Sequence, residues 1–385
     1  MKKKVLIFIN YFGKTSETFI ADEIAFLSQQ NEIDIEILHY GKDIPEQKVH
    51  GLNMPGSLKN RWLKSFSKIN RLVIKSLKYR NGQNGSLFYL ISFFKNHGYD
   101  TIYCHFGTNG KLIAQLKELG VIPKTTKLIV RFHGLDMNFK KYPIGYYDLL
   151  IKSVETVIAG SEYAIGDLVK YKFKSNEVVK LPVGIKISDS ERVVPKLPLD
   201  QFQIVSVGRL IELKGHVEAI EIISMLNNQG LNVELTIVGS GPLLEKLKRL
   251  IQEKNLENKV TFINCLSHES VFELLKVSHL YLYSGIIDQT GRRETQGLAN
   301  LEAMSTGIPI IASNLGGVTD YVIDAETGFL CEPGNIEQFA KKIDWIIKNY
   351  DSDRILRIRK NAVKMVSENY CQEDLNKKLL KLLIN

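Results

Sequence analysis

Ile204-Val205-Ser206-Val207-Gly208-Arg209 runs from a short apolar strand pattern straight into a glycine and a cation, and the residues downstream of it decide the architecture. A helical repeat spans Val217 to Gln229, and an apolar run from Val233 to Val238 then ends in Gly239-Ser240-Gly241-Pro242. The alternation continues with helix Leu243 to Lys254, strand Val260 to Ile263, helix Ser270 to Val277 and strand Leu280 to Tyr283. A helix holding Glu302, strand Pro309 to Ala312, and helices Ile336 to Tyr350 and Asp353 to Tyr370 complete the block. Strands alternating with helices in this way predict a doubly wound parallel sheet.

Upstream the same alternation occurs independently. Val5 to Ile9, Ile33 to Leu38, Thr101 to His105, Lys127 to Phe132 and Thr156 to Ala159 read as strands, separated by helices such as Thr18 to Gln29 and Asn109 to Leu119. The segment 185–201 between the blocks contains Pro195, Pro198 and several charges, and reads as a linker. The expected fold is therefore α/β, two tandem Rossmann-like doubly wound parallel-sheet domains facing across a cleft. Residues 1–184 form an N-terminal domain and 202–365 a C-terminal domain, with the helix in 366–385 crossing back to the first. Ligands of such sheets bind beyond the carboxyl ends of the strands, which here means the cleft.

Composition sets the class. Among 385 residues, 44% are hydrophobic and 24% charged, ordinary for a soluble chain with ample core material. Lys2-Lys3-Lys4 before Val5 to Ile9 imitates a secretion signal, but the run is short, breaks at Asn10 and lacks a cleavage site, so it reads as a buried strand. Cys104, Cys265, Cys331 and Cys371 are far apart and read as reduced thiols. A cytoplasmic location is expected.

The net charge of +9 is uneven: residues 1–184 hold 27 Lys and Arg against 16 Asp and Glu, and the remainder 24 against 26. Arg61, Lys64, Lys68, Arg71, Lys75 and Lys78 recur at steps of three and four beside Trp62, Phe66, Ile69 and Val73. That is an amphipathic basic helix, suited either to the anionic inner face of a membrane or to packing on a sheet with its lysines in water. No nucleic-acid-binding module accompanies it.

The chemistry concentrates in Gly291-Arg292-Arg293-Glu294-Thr295-Gln296-Gly297-Leu298-Ala299-Asn300-Leu301-Glu302. Glu294 precedes a glycine in a polar loop, and Glu302 lies in good helix sequence, so a helix start separates the two acids. Its unpaired amides suit a diphosphate, with hydroxyl-rich groups at either end. Gly208, Arg209 and Lys214 at the mouth of a strand suit the same phosphate as it leaves.

Together with Ser305-Thr306-Gly307-Ile308-Pro309, Gly316-Gly317 and Glu326-Thr327-Gly328-Phe329-Leu330, these motifs resemble glycosyltransferase family 4, retaining GT-B enzymes of bacterial capsule, exopolysaccharide and O-antigen assembly. Ser16-Glu17-Thr18-Phe19-Ile20, His105-Phe106-Gly107 and Phe132-His133-Gly134-Leu135-Asp136 extend the resemblance into the first half. It implies that Glu302 binds ribose hydroxyls and that Glu294 and His133 face the donor sugar. The amides of Gly297 and Leu298 hold the diphosphate, with Arg209 and Lys214 stabilising it as leaving group. Leu266 and its neighbours lie near the base, and Gly13, Ser16 and Glu17 line the acceptor side. His105 is read as structural. The diglycine that many relatives carry in the first loop is missing, and Thr295 stands where many have glycine.

The implied activity is retaining transfer of a hexose from a nucleotide-diphosphate sugar, UDP favoured over GDP, to a lipid-linked saccharide. Front-face return, with no covalent sugar, is the implied route. Neither metal nor cofactor is expected, since cations and helix amides take a metal's place and Asp351-Ser352-Asp353 reads as a helix cap. Open alternatives are a sucrose- or glycogen-type transferase or epimerase on soluble substrates, or a non-catalytic transferase-like subunit that binds sugar nucleotides. A periplasmic-type sugar-binding protein would need an export signal.

Overall fold

The computed structural model describes residues 2–11, 18–40, 49–51, 84–187 and 201–385. The expected acceptor contacts Gly13, Ser16 and Glu17 and the basic residues Arg61, Lys64, Lys68, Arg71 and Lys75 lie outside them.

Two parallel sheets carry the chain. The first holds β1 (Lys3–Phe8), β2 (Ile33–His39), β3 (Val49–Gly51), β4 (Thr101–His105), β5 (Lys127–Arg131), β6 (Thr156–Ala159) and β7 (Val178–Lys180), in the order β3-β2-β1-β4-β5-β6-β7. The second holds β8 (Phe202–Val207), β9 (Val233–Val238), β10 (Val260–Ile263), β11 (Leu280–Tyr283), β12 (Ile310–Ser313) and β13 (Phe329–Cys331), in the order β10-β9-β8-β11-β12-β13. In each sheet the order reverses beside its first strand, leaving a crevice at the strand ends between β1 and β4 and between β8 and β11. The central strands are continuous apolar runs because helices cover both faces; Val5, Leu6, Ile7 and Phe8 are all completely buried.

In the first half the helices are α1 (Thr18–Ser28), α2 (Asn84–Asn96), α3 (Gly107–Glu118), α4 (Asp148–Ile151) and α5 (Glu162–Lys170). The second half supplies α6 (His216–Asn228), α7 (Leu244–Glu253), α8 (His268–Lys276), α9 (Leu298–Thr306), α10 (Ile336–Lys348), α11 (Asp353–Asn369) and α12 (Gln372–Ile384). Ser352 caps α11, its hydroxyl accepting from the Ile355 amide, which is the structural use of Asp351-Ser352-Asp353. On one face of the second sheet Ile204 and Phe202 pack with Ile220 and Phe339, and on the other Val205 and Tyr281 pack with Leu301 and Val318.

The last helix, α12, belongs to the first sheet. Leu375, Leu379, Leu380 and Leu383 join the core formed by Val5, Ile7 and Ile37. The returning chain is pinned where it left: Ile185 N donates to Tyr370 O (2.9 Å) and Gln372 N to Ile185 O (3.0 Å). Among the described residues no helix is long and apolar enough to cross a membrane.

Candidate active site in the interdomain cleft

On the second domain the site begins where β8 ends. Gly208 N donates to Val238 O (2.9 Å), and the loop from Arg209 to Gly215 folds back through a short 3-10 turn, Glu212–Lys214, into α6. A Cβ on Gly239 would overlap the Gly208 carbonyl, so only glycine lets the β9 loop lie against the β8 loop. His216 pins the loop from beneath, its Nε2 3.2 Å from the Arg209 carbonyl, and burial lowers its pKa to about 4, so the ring is neutral and Nε2–H donates. Arg209 is exposed at the cleft mouth, and Lys214 reaches Glu294.

The two glutamates fall either side of a helix start. Glu294 lies in the loop before α9, and Glu302 one turn and a half into that helix. Gly297 caps α9 in the left-handed region (φ 79°), and its hydrogen stands where a Cβ would lie 3.2 Å from Glu294 Cγ. The amides of Leu298 and Ala299 open the helix and have no acceptor within it. Burial pushes the Glu294 carboxyl up, but Lys214 and the amides of Gln296 and Thr295 outweigh it and hold the group below its usual range. Burial raises Glu302, and His268 Nε2, 3.0 Å away, offsets only part of this.

The opposite wall comes from the first domain. His133 follows β5, its amide donating to Asp136 Oδ1 (2.9 Å) while Gly107 N donates to Asp136 Oδ2 (2.7 Å). Burial lifts Asp136 to about 6 against these two donors. His133 itself is held well below the usual imidazole range, chiefly by burial, so it is neutral at physiological pH. A cavity of about 320 Å³ separates the walls, lined by His133, Tyr163, Arg209, Arg293, Glu294 and Thr295 among others.

His133, Arg209 and Glu294 thus share one cavity, with Lys214 bonded to Glu294 at its edge and Gly208, Gly297 and Leu298 in the adjoining loops. Glu302 and Leu266 do not line that cavity: Glu302 bonds His268 at the start of α8, and Leu266, two residues before His268, packs against the core of the second sheet. Sequence reasoning missed His268, and no local pattern pointed to it.

Of the four residues around Glu294, three have structural duties. Arg292 pairs with Asp288 (2.7 Å), and Thr295 Oγ1 reaches the His133 carbonyl (3.4 Å). Gln296 grips both polar groups of Val183 in the other domain, accepting from its amide (2.9 Å) and donating to its carbonyl (2.6 Å). Arg293 lies over the Tyr163 ring at 4.9 Å with its buried Nε unpaired.

Two parallel-sheet domains facing across a cleft, with two acids flanking a helix start in the second, are the arrangement of a GT-B glycosyltransferase. Residues 188–365 match the family model for glycosyl transferases group 1. The putative colanic acid biosynthesis glycosyltransferase WcaL of Escherichia coli K12 is 26% identical over 99% of both chains, and the amylovoran biosynthesis glycosyltransferase AmsK of Erwinia amylovora is 27% identical over 63% of this chain and 60% of its own. Among solved structures, Anabaena Alr3699/HepE in complex with UDP has the same fold, with a TM-score of 0.75 and 17% identity over 100% of this chain and 99% of that one. The chain is a glycosyltransferase of GT-B fold whose second half matches group 1, in keeping with the resemblance to family 4.

Proposed function

We propose that the enzyme transfers a hexose, with retention and without a metal, from a nucleotide-diphosphate sugar to a lipid-linked saccharide in cell-surface polysaccharide assembly. The observation that carries this reading is the α9 start with Glu294 and Glu302 on either side, facing Arg209 and Lys214. In it, Glu302 takes the ribose, the first amides of α9 take the diphosphate, and Arg209 and Lys214 neutralise charge as the diphosphate departs. Lys214 and Glu294 hold each other until the donor supplies its own anion and hydroxyls. With these cations and amides in place, positive charge for the leaving group comes from the chain itself.

Glu294, held ionised by Lys214 and backbone amides, stabilises developing positive charge on the sugar in the front-face route that we favour. Assembly of a surface polysaccharide is supported by the roles for which WcaL and AmsK are named, and a uridine nucleotide as donor by the UDP-bound Anabaena structure. The basic segment at residues 61–78 supports a peripheral place at the inner membrane face, where a lipid-linked acceptor is found.

A thermal-shift panel of UDP-, GDP- and ADP-sugars tests the donor site. Stabilisation by the UDP-sugar is expected, at about 2.7 kcal/mol when the ligand is at a hundred times its Kd. No shift with any of the three would overturn the reading.

A further inference from the structure

We propose that Glu23, acting through His105, is a positioning residue that fixes the tautomer of His133, so that His133 offers the cleft a bare Nδ1 that accepts a hydrogen bond from the sugar. This rests on the reading that His133 faces the donor sugar.

Three side chains from separate elements stand in a line. Glu23 on α1 and His105 at the end of β4 are 4% and 0% exposed, and His133 follows β5. His105 Nδ1 lies 3.0 Å from His133 Nε2, the ring planes are 5° apart and the centroids 5.2 Å apart, which is two imidazoles meeting edge to edge in one plane. On the far side, His105 Nε2 lies 3.1 Å from Glu23 Oε1, off the line of a good hydrogen bond, and neither atom has another partner. Arg131 Nη2 stands 3.3 Å from Glu23 Oε2, while Arg131 Nε donates to Tyr103 Oη (2.8 Å). Burial pushes the Glu23 carboxyl up, but the Arg131 guanidinium, with hydrogen bonds from His105 and Tyr103, outweighs it and keeps Glu23 ionised.

Counting protons decides the rest. Taken with both rings neutral, the two imidazoles carry two N–H groups on four nitrogens. One must lie between His105 Nδ1 and His133 Nε2, because two lone pairs or two hydrogens facing each other at 3.0 Å repel. The second sits on His105 Nε2 or on His133 Nδ1. Placing it on His133 Nδ1 would aim a bare His105 nitrogen at an ionised carboxylate in a buried site, which is costly. The carboxylate therefore holds the proton on His105 Nε2. His105 Nδ1 accepts, His133 Nε2 donates, and His133 Nδ1 is bare, with no partner among the described residues. The logic is that of a carboxylate orienting a histidine, extended by one ring.

Glu23→Gln inverts the relay with almost no change in shape. Arg131 is a donor only, so the amide oxygen stays on its side and the NH₂ turns to His105. His105 Nε2 then becomes the acceptor, and His133 Nδ1 acquires the proton. The test is two-bond ¹⁵N–¹H correlation spectroscopy of the full chain labelled with ¹⁵N-histidine, assigned by single His→Gln substitutions. In the native protein both His105 and His133 are expected as Nε2–H tautomers, and in Glu23→Gln both as Nδ1–H. Turnover of the variant should fall about tenfold to a hundredfold, the loss of one buried hydrogen bond, while its affinity for UDP is unchanged. Native His133 carrying its proton on Nδ1, or an unchanged tautomer in Glu23→Gln, would overturn the proposal. The native spectrum decides even if the variant fails to fold. Absent UDP binding with the expected tautomers would instead count against the donor site.

Discussion

Glu302, proposed above to take the ribose as a carboxylate, burdens the fold before any ligand arrives. Burial raises its pKa above the ordinary 4.5, so the native state holds that proton more tightly than the unfolded chain does. Stability therefore falls as pH rises from 4.5 through the raised value and stays lower above it. Glu302→Gln has no proton to release and keeps a partner for His268. It is predicted to melt above the native protein at about pH 7.5 and to lose that advantage near about pH 4. At neutral pH the same variant should bind the donor about tenfold to a hundredfold more weakly, a charged acceptor having been replaced by a neutral amide. Melting curves at the two pH values, with donor titration at the higher one, check both halves; a variant that melts lower at neutral pH would reject the argument.

Elements were legible from the chain to the degree that they are long and buried. Val233–Val238 alternates apolar and polar residues before ending in Ile237-Val238, a strand pattern within a strand–helix alternation, and the sequence reading and the structure agree on it. The missed strands Val49–Gly51, Val178–Lys180 and Phe329–Cys331 are three residues each, too short to show a period, and each lies at the edge of its sheet, where short strands belong. The α9 start was legible because a glycine stands directly before helix-forming sequence. His105 was not, because its partnership with His133 depends on β4 lying beside β5, with His105 opposite Arg131, and periodicity within an element says nothing about lateral order. The glycine at that helix start carries a prediction of its own. In Gly297→Ala, a non-glycine residue would sit at φ 79° and its Cβ would press on Asn300 Nδ2, Tyr321 Oη and Glu294 Cγ at 2.9, 3.1 and 3.2 Å. The expected result is a loss of about 1–3 kcal/mol in stability from backbone strain, with donor-induced thermal stabilisation abolished because Glu294 is displaced. Retained donor stabilisation would show that the cap is not part of the phosphate site.

At the scale of the molecule, the last helix closes a loop that begins with the first strand. The chain leaves the first sheet after β7, builds the second domain, and returns past Ile185 to lay α12 on β1 and β2. Thr101 Oγ1 donates to the Leu383 carbonyl (3.1 Å), Lys127 Nζ to that of Leu382 (3.0 Å), and Lys3 Nζ to that of Ile384, so side chains from three strands of the first sheet satisfy the helix end. Leu379 is completely buried in that interface. Leu379→Ala should cost about 2–5 kcal/mol, the usual penalty for emptying a leucine site in a packed core. The location of the damage is the sharper expectation. Although Leu379 lies more than 170 residues beyond the start of the second domain's sheet at Phe202, amide exchange should accelerate in Val5 to Phe8 and Ile33 to Leu38. The strands β8 and β9 should keep their protection, because their core is made by α6 and α10 and contains no residue of α12. Exchange that quickens equally in both sheets would mean that the domains unfold as one unit, bound across the cleft by Gln296 on Val183 and Lys180 on Asp320 (2.7 Å) more tightly than either is by its own core.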